Sequence, residues 1–286
     1  MAFIDEISQF NENHKFVNKD IDGINTKYLL CGNEAAEDTL VYLVGGAGYS
    51  EVWFKHILKM EQDYRILTFD YPMEIDDLEK LADHIMKLIH KLGVKKPVLI
   101  GASLGGFMAQ IIARRYADEI RAVLLYATCS LSEQSVEDLK KQYKSYGVML
   151  KLMKIVPYSW IKKILFAFSK KQVGMENEKD EDKVYMTDFF AWLYSQYTKE
   201  FDLHMTGLIA DVANLKPFVF SDYEKFDFKS LLVLPDGDVA FSEKAKQDLL
   251  DSMPKAKVVS VKGGHTATIY KVDDYVNASR NFLVNI

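Results

Sequence analysis

The chain has 286 residues, 49% of them hydrophobic and 27% charged, with a formal net charge of −5. It can therefore bury a large core, as one domain with an elaboration or as two small domains. The negative charge excludes the general basic footprint of a nucleic-acid-binding protein. No apolar run reaches the length of a signal peptide or a membrane span, and two cysteines, Cys31 and Cys129, are too few for a disulfide framework or a cysteine-rich metal site. We therefore expect a soluble, cytoplasmic protein that binds no nucleic acid.

The first part of the chain combines short strands with glycine turns. Residues 15–17 and 25–30 predict two strands joined across residues 21–23, where Asp-Gly favours a hairpin turn. The apolar strand 40–44 then runs into the glycine loop 45–48. A phosphate-binding loop is the alternative interpretation of this joint, but neither G-x-G-x-x-G nor G-x-x-x-x-G-K-S/T is present. A nucleotide cofactor therefore lacks its fingerprint.

Strands and helices alternate as far as residue 126. Residues 65–69, 97–100 and 122–126 are short apolar runs that predict buried strands, and the apolar face of residues 78–89 predicts a helix between the first two. Continuous apolar strands that alternate with helices are typical of a parallel sheet covered by helices on both faces. Reactive loops then collect at the carboxyl ends of the strands.

The alternation breaks at residue 132 and resumes at residue 230. This predicts a core of residues 1–131 and 230–286, with a helical cap of residues 132–229 inserted between its two parts. The aromatic residues of the cap are expected to pack its helices together, and some are expected to face the cleft beneath and make it apolar. These aromatic residues include Trp160, Phe166, Phe168, Phe189, Phe190 and Trp192.

The cap also holds a run of lysines with no acidic residue among them. They are Lys140, Lys141, Lys144, Lys151, Lys154, Lys162, Lys163, Lys170 and Lys171. The favoured interpretation is a solvated outer face whose charge is balanced by the acid-rich residues 176–182. The alternative is peripheral contact with anionic lipid, or with an acidic substrate, because the lysines are interleaved with apolar residues.

The hexapeptide 101–106, with the sequence Gly-Ala-Ser-Leu-Gly-Gly, joins a buried strand to a buried helix and contains the G-x-S-x-G pattern. The flanking glycines let strand and helix approach closely, while Ser103 occupies a strained turn that presents its hydroxyl to solvent. The pattern alone is weak evidence, because many strand-to-helix turns are glycine-rich for packing reasons. Its meaning depends on the rest of the chain.

A serine hydroxyl becomes nucleophilic when an imidazole takes its proton and a carboxylate orients that imidazole. Residues 231–234 and 257–261 predict the last two strands, and Asp238 and His265 each lie just beyond one of them. The order Ser103, Asp238, His265 is that of an α/β-hydrolase triad. Asp236 is the rival carboxylate, and its alternative role is that of a turn-forming Asp-Gly. The other five histidines lie in predicted helices or unplaced loops, where a structural role is expected.

These positions predict a mechanism. His265 deprotonates Ser103, which attacks an acyl carbonyl, and the backbone N–H groups of Ala47 and Leu104 hold the oxyanion. Water activated by His265 then releases the acyl group. An apolar cleft suits small or medium acyl or aryl esters, but thioesters, lactones, amides, carbon–carbon bonds and acyl transfer to an alcohol stay open.

The chain resembles the α/β-hydrolase superfamily over nearly its whole length. The resemblance rests on residues 101–106, the glycine loop 45–48, Asp238, and Gly264-His265 before the last helix. It implies a mostly parallel eight-stranded sheet, a helical cap after the sixth strand, and no cofactor or metal. Subfamilies with an aspartate nucleophile are disfavoured because the position holds a serine.

Two departures from the superfamily pattern concern the entrance to the site. Gly45 stands where a histidine usually opens the oxyanion loop, which bears on the rigidity of that loop. Residues 70–76 are shorter than the usual glycine-rich loop, which should open that side of the cleft.

Within the superfamily, residues 49–54, 70–72 and 101–107 resemble the maspardin family, whose members are regarded as interaction partners rather than established enzymes. This resemblance implies a function of another class, a non-catalytic protein-interaction module. Maspardin-like chains do not hold a histidine at the last triad position, whereas this chain has His265, which favours catalysis.

Overall fold

The computed structural model describes residues 3–172 and 178–286. Eight strands of this part of the chain form one sheet. They are β1 (Val17–Ile21), β2 (Ile24–Gly32), β3 (Thr39–Leu43), β4 (Arg65–Phe69), β5 (Val98–Ala102), β6 (Ala122–Tyr126), β7 (Ser230–Pro235) and β8 (Lys257–Val261). Their order across the sheet is β1-β2-β4-β3-β5-β6-β7-β8. The pairs β1–β2 and β2–β4 are antiparallel and the others are parallel, so the prediction of a mostly parallel eight-stranded sheet is confirmed.

Helices connect the strands. They are α1 (Phe3–Asn13), α2 (Phe54–Met60), α3 (Leu78–Lys91), α4 (Leu104–Arg115), α5 (Glu133–Ile155), α6 (Tyr158–Gln172), α7 (Asp180–Gln196), α8 (Lys199–Asp211), α9 (Phe220–Tyr223), α10 (Glu243–Ser252), α11 (Ala267–Tyr270) and α12 (Val272–Leu283). The central strands β3 and β6 are buried at every position, whereas the edge strands β1 and β8 are largely exposed. Continuous apolar runs therefore identified the central strands correctly.

Sequence patterns located the edges of the fold less well. The predicted first strand, at residues 15–17, lies almost wholly before β1. The observed strand runs on through polar residues, because each of its residues pairs with one of β2 across the Asp22-Gly23 turn. Both turn residues have positive φ, 54° and 88°, as a two-residue hairpin requires. No element was predicted at α1, where Phe3, Ile7 and Phe10 bury one helical face.

Helices α5 to α9 occupy the interval between β6 and β7 that was predicted to be a cap. Helical periodicity predicts four helices in this interval, at residues 136–153, 158–168, 183–197 and 201–212. The four long helices α5 to α8 match these segments closely, and α9 was not predicted. Phe189 and Phe190 are buried as expected. Trp160 is 64% exposed, so the expectation that it packs the cap helices together is wrong for this residue. The side chain of Phe168 lies outside the described residues, as does Gly174, which the sequence predicts to end a helix.

Neither cysteine is paired. Cys31 is half-buried and Cys129 is buried. Burial raises the pKa of the Cys31 thiol to about 12, which keeps it protonated at neutral pH. Within residues 3–172 and 178–286, no helix combines the length and the apolar character needed to cross a membrane.

The buried imidazole of His56 links α2 to α11. Its partner in α11 is Thr268, which lies four positions after the Gly-Gly turn that follows β8. His56 is 1% exposed, and its Nε2 donates a hydrogen bond to the carbonyl of Thr268 at 2.9 Å. Burial lowers the pKa of His56 from 6.5 to about 4. This histidine is therefore neutral in the folded protein at neutral pH and has a structural role, as expected from its place in a helix.

The low pKa of His56 predicts a loss of stability in acid. Below pH 6.5 the unfolded chain takes up a proton that the folded chain refuses until pH 4, so the free energy of unfolding should fall by up to about 1.4 kcal/mol per pH unit across this interval. The variant His56→Gln keeps an N–H donor and cannot titrate. Between pH 7.5 and 4.5 it should lose about 2–3 kcal/mol less than the wild type in urea unfolding. The exposed control His90→Gln should keep the wild-type loss, and an equal loss in His56→Gln would contradict this assignment.

Candidate active site

Ser103 lies at the joint between β5 and α4. Its φ of 54° and ψ of −120° place it in a region that side-chain-bearing residues rarely adopt. The surrounding backbone holds it there: the Ser103 N–H donates to the carbonyl of Tyr126 at 3.1 Å. The Ser103 carbonyl accepts from the N–H of Gly106 at 2.9 Å and from the hydroxyl of Thr128 at 3.0 Å. The strained turn is therefore fixed from both sides.

The glycines of this joint are required by close backbone contact. A Cβ on Gly101 would lie 2.1 Å from the carbonyl oxygen of Gly105, and a Cβ on Gly105 would lie 2.3 Å from that of Leu43. Each distance is shorter than any contact that a real Cβ makes. The first turn of α4 consequently rests directly on the backbones of β3 and β5.

The carboxyl ends of β7 and β8 stay side by side beyond the sheet. The N–H of Asp236 donates to the carbonyl of Val261 at 2.9 Å, and the N–H of Gly237 donates to that of Gly263 at 2.9 Å. These two hydrogen bonds extend the strand pairing into the loops. The loops that carry the predicted acid and base therefore leave the sheet together.

Ser103, His265 and Asp238 form one chain of hydrogen bonds. His265 Nδ1 donates to Asp238 Oδ2 at 3.0 Å, which leaves His265 Nε2 to accept from Ser103 Oγ at 3.0 Å. The second oxygen of Asp238 accepts from the N–H of Ala240 at 2.8 Å. The Asp238 side chain is 2% exposed and that of His265 is 23% exposed, so the carboxylate is shielded while the imidazole reaches the surface. This geometry can transfer a proton from the serine to the histidine.

Asp236, the rival carboxylate, occupies a different place. It is exposed, and its side chain accepts a hydrogen bond from the N–H of Gly263 at 3.1 Å. It therefore stabilises the turn, which is the alternative role considered for it from the sequence. The structure brings Asp238, and not Asp236, to the imidazole of His265.

The glycine loop that follows β3 lies against the Ser103 joint. A Cβ on Gly45 would be 3.0 Å from the carbonyl oxygen of Ala102 and 3.7 Å from Ser103 Cβ, so the loop approaches the nucleophile closely. The N–H of Gly48 donates to the carbonyl of Gly45 at 3.1 Å, which closes the loop into a turn. Leu104 begins α4, and the first N–H groups of a helix have no partner within it. The N–H groups of Ala47 and Leu104 thus belong to two segments that meet beside Ser103.

Tyrosine hydroxyls brace this glycine loop in place of the missing histidine. Tyr71 donates to the carbonyl of Val44 at 2.9 Å, just before the loop. Tyr197, which directly follows α7, donates to the carbonyls of Gly46 at 3.3 Å and Ala47 at 3.0 Å. The loop is therefore held although residue 45 is glycine. Tyr197 was missed by sequence reasoning, since it lies about 150 positions away and no local pattern marks it.

The short segment 70–76 is tied to the same region. Asp70 accepts hydrogen bonds from the N–H of Ser50 at 2.8 Å and from its hydroxyl at 2.6 Å. Lys27 forms ion pairs with Asp70 at 3.0 Å and Glu51 at 2.6 Å. This charged group anchors both the segment after β4 and the turn before α2.

One group of potential metal ligands occurs among the described residues. The donor atoms of His14, Cys31 and Glu61 lie within 4.8 Å of one another, and His14 pairs with Glu61 at 2.7 Å. Cys31 pairs across the sheet with Ile66, near the amino end of β4. The group is thus at the sheet end opposite to Ser103, which follows the carboxyl end of β5.

Comparisons with known proteins agree with the fold. A family model described as alpha/beta hydrolase fold matches residues 38–148. The crystal structure of the enol-lactonase from Burkholderia xenovorans LB400 superimposes with a TM-score of 0.74 at 14% identity, covering 94% of this chain and 100% of that one. Identity this low shows the fold alone, and the α/β-hydrolase fold predicted from the sequence is confirmed.

Curated relatives include maspardin. The Danio rerio protein is 26% identical over 237 residues, which cover 82% of this chain and 70% of that protein. The Homo sapiens protein is 34% identical over 111 residues, which cover 38% of this chain and 36% of that protein. The stronger local identity therefore spans about a third of the human relative.

The close packing at the serine joint gives a prediction about stability. Gly105→Ala should reduce the free energy of unfolding by about 3 kcal/mol, because the added methyl group collides with backbone that cannot move independently. Gly207→Ala is the matched control: this glycine also lies in a helix, and its Cβ would meet nothing within 4 Å. The control should stabilise by about 0.5–1 kcal/mol, since alanine favours helix. Urea unfolding measures both changes, and equal effects would contradict the prediction.

Proposed function

The chain is an α/β-hydrolase-fold protein with similarity to maspardin, and on that premise we propose that it is a serine hydrolase acting on a small or medium carboxylic ester. The observation that carries this proposal is the hydrogen-bond chain Ser103–His265–Asp238, with 3.0 Å at each link. In this proposal residues 132–229 form a cap over the core. A cytoplasmic location is proposed from the two unpaired cysteines.

Acylation begins when Ser103 Oγ attacks the ester carbonyl carbon and its proton moves to His265 Nε2. The buried carboxylate of Asp238 stabilises the imidazolium that results. When the tetrahedral intermediate collapses, His265 returns the proton to the leaving alkoxide and the acyl group stays on the serine. Water then attacks this acyl-enzyme while His265 takes its proton. The second tetrahedral intermediate collapses by breaking the bond to Ser103 Oγ, which regains the proton from His265, and the carboxylic acid leaves. The partly exposed imidazole supports access for that water.

The negative charge of the intermediate requires donors aimed at the oxyanion. We assign these donors to the N–H groups of Ala47 and Leu104. Because Tyr197 binds the carbonyls of Gly46 and Ala47, its hydroxyl fixes the peptide planes of the loop and hence the direction of its N–H groups. Tyr197 is therefore a positioning residue for the proposed oxyanion hole.

Apolar side chains near the loop and the base favour an apolar acyl or aryl group. The Ile209 side chain lies 3.3 Å from the Cβ position of Gly46. The Phe241 ring packs edge-on against His265, with 5.4 Å between ring centroids. A thioester, a lactone or an acyl transfer would use the same residues, and the structurally similar enol-lactonase keeps the lactone class among the candidates.

A second candidate function is a non-catalytic interaction module. The observation that favours it is the similarity to maspardin over 82% of this chain. Catalysis and interaction differ in one measurable property, the reactivity of the serine.

The first test is covalent labelling. A fluorophosphonate should add once to intact protein, because Ser103 Oγ displaces fluoride from phosphorus when His265 takes its proton. Ser103→Ala and His265→Gln should not be labelled, and each should lower kcat on nitrophenyl esters by about 10⁴-fold. Ser221→Ala, an exposed serine in α9, should behave like the wild type. Folded wild-type protein that forms no adduct would overturn the hydrolase proposal in favour of the interaction module.

The second test concerns Tyr197. Tyr197→Phe keeps the ring and removes both hydrogen bonds to the loop, so kcat should fall about 10-fold while KM changes less than about 2-fold. Tyr194→Phe is the matched control, because the Tyr194 hydroxyl pairs with Ser169 inside the helical insertion. If both variants lost the same activity, or if only KM changed for Tyr197→Phe, the positioning role would be wrong.

A further inference from the structure

Helix α6 presents an apolar face to solvent. Trp160, Lys163, Ile164 and Ala167 are all exposed and occur at the spacing i, i+3, i+4 and i+7, so they form one stripe. Trp160 is 64% exposed and Ile164 is 66% exposed. Ile155, at the end of α5, is 81% exposed, which extends the apolar surface across the short connection. We call these five residues the α6 face.

The opposite side of α6 is anchored, so this orientation is fixed by packing. Ile161 is 7% exposed. Tyr158 donates a hydrogen bond to Asp202 of α8 at 3.1 Å, and Lys162 donates to the carbonyl of Tyr197 at 2.9 Å. Turning the stripe inward would break these contacts.

The acid-rich segment expected to balance the cap lysines has other partners. Glu178 and Asp182 form ion pairs with Lys271 of the core at 2.9 and 3.2 Å. Asp180 pairs with Lys183, in its own helix, at 3.3 Å. Glu176 and Asn177 lie outside the described residues. The ion pairs of these acids therefore go to lysines outside the run of cap lysines.

The cap lysines differ in whether the described residues provide an ion-pair partner for them. Lys140 and Lys141 pair with acids on their own helix, Glu137 and Asp138. Lys144, Lys151 and Lys163 are exposed, and no carboxylate of the described residues forms an ion pair with them. The side chains of Lys154, Lys170 and Lys171 are outside the description. Lys151 and Lys144 lie four and eleven positions before Ile155, on the same side of α5, and Lys163 belongs to the α6 face. Positive side chains therefore adjoin this face on a chain whose net charge is −5.

We propose that the α6 face is a peripheral docking surface for a bilayer that contains anionic phospholipid. A bilayer interface accommodates both kinds of side chain at once: lysines approach the lipid phosphates while isoleucine and the tryptophan ring enter the boundary of the acyl region. Charge complementarity selects the anionic lipid. The helix lies along the interface and does not cross it. Docking of this kind is independent of the proposed hydrolysis.

The experiment is co-sedimentation of the full chain with phosphatidylcholine vesicles that contain about 30% phosphatidylserine. The wild type should sediment with these vesicles and not with pure phosphatidylcholine, and raising the salt from about 0.01 M to about 1 M should release it. Tryptophan emission should shift to shorter wavelength on binding, since Trp160 leaves water while Trp53 is already buried. Ser103→Ala should bind like the wild type, which separates this test from the test of catalysis.

Two pairs of variants assign the contact. Lys144→Glu/Lys151→Glu/Lys163→Glu should lower the partition coefficient by about 100-fold or more, because each surface lysine contributes about 5-fold. The exposed lysines of the core provide a control with the same change of charge, Lys95→Glu/Lys96→Glu/Lys257→Glu, which should retain binding.

A variant of the two apolar residues distinguishes insertion of side chains into the bilayer from electrostatic attraction alone. Trp160→Ser/Ile164→Ser should weaken binding at least about 10-fold and abolish the emission shift. Phe228→Ser, which removes an aromatic ring that is 62% exposed beyond α9 and outside the α6 face, should do neither.

Three results would overturn the proposal. One is the absence of binding to the anionic vesicles at low salt by folded wild-type protein. Another is binding that the test variants and their control variants reduce equally. The third is lysine-dependent capture by heparin or an acidic protein without vesicle binding, which would identify a polyanion as the occupant.

Discussion

Direct backbone contact between the first turn of α4 and the strands β3 and β5 is the constraint on which the site depends. No side chain separates them at Gly101 and Gly105, so the chain must turn sharply between strand and helix. That turn forces Ser103 into positive φ, and hydrogen bonds to Tyr126 of the next strand and from Thr128 just beyond it hold it there. The same contact brings the glycine loop after β3 beside the serine. Nucleophile and proposed oxyanion donors are thus positioned by one packing arrangement.

The helical insertion is joined to this arrangement. Tyr197 binds two carbonyls of the glycine loop, and the Phe201 ring occupies the space that a Cβ on Gly48 would need, since its Cζ lies 2.5 Å from that position. Movement of α8 would therefore change the loop. The outer side of the same insertion carries the α6 face. A surface that docks on a bilayer and a loop that shapes the site are consequently parts of one connected body of helices, linked by Lys162 and Tyr158.

The fold could be predicted where burial leaves a mark on the sequence. Strands β3, β5 and β6 are buried throughout or nearly so, and each appears as an uninterrupted apolar run. Helix α1 and strand β1 were missed or misplaced because their structure depends on partners. Phe3 packs on Phe54 and Phe189, which lie 51 and 186 positions along the chain, and β1 is specified by pairing with β2. A local pattern cannot contain that information.

By itself, the sequence determined the α/β-hydrolase fold and nominated a serine, an acid and a base by residue type, order and position after strands. It left open which carboxylate faces the base, what braces a glycine loop without its usual histidine, and which lysine the acid-rich segment pairs with. The tertiary structure decided these points for the described residues: Asp238 meets His265, Tyr197 holds the loop, and Glu178 and Asp182 pair with Lys271. The physical reason is that hydrogen bonds and ion pairs act over about 3 Å between groups far apart in the chain, and only folding brings those groups within that distance.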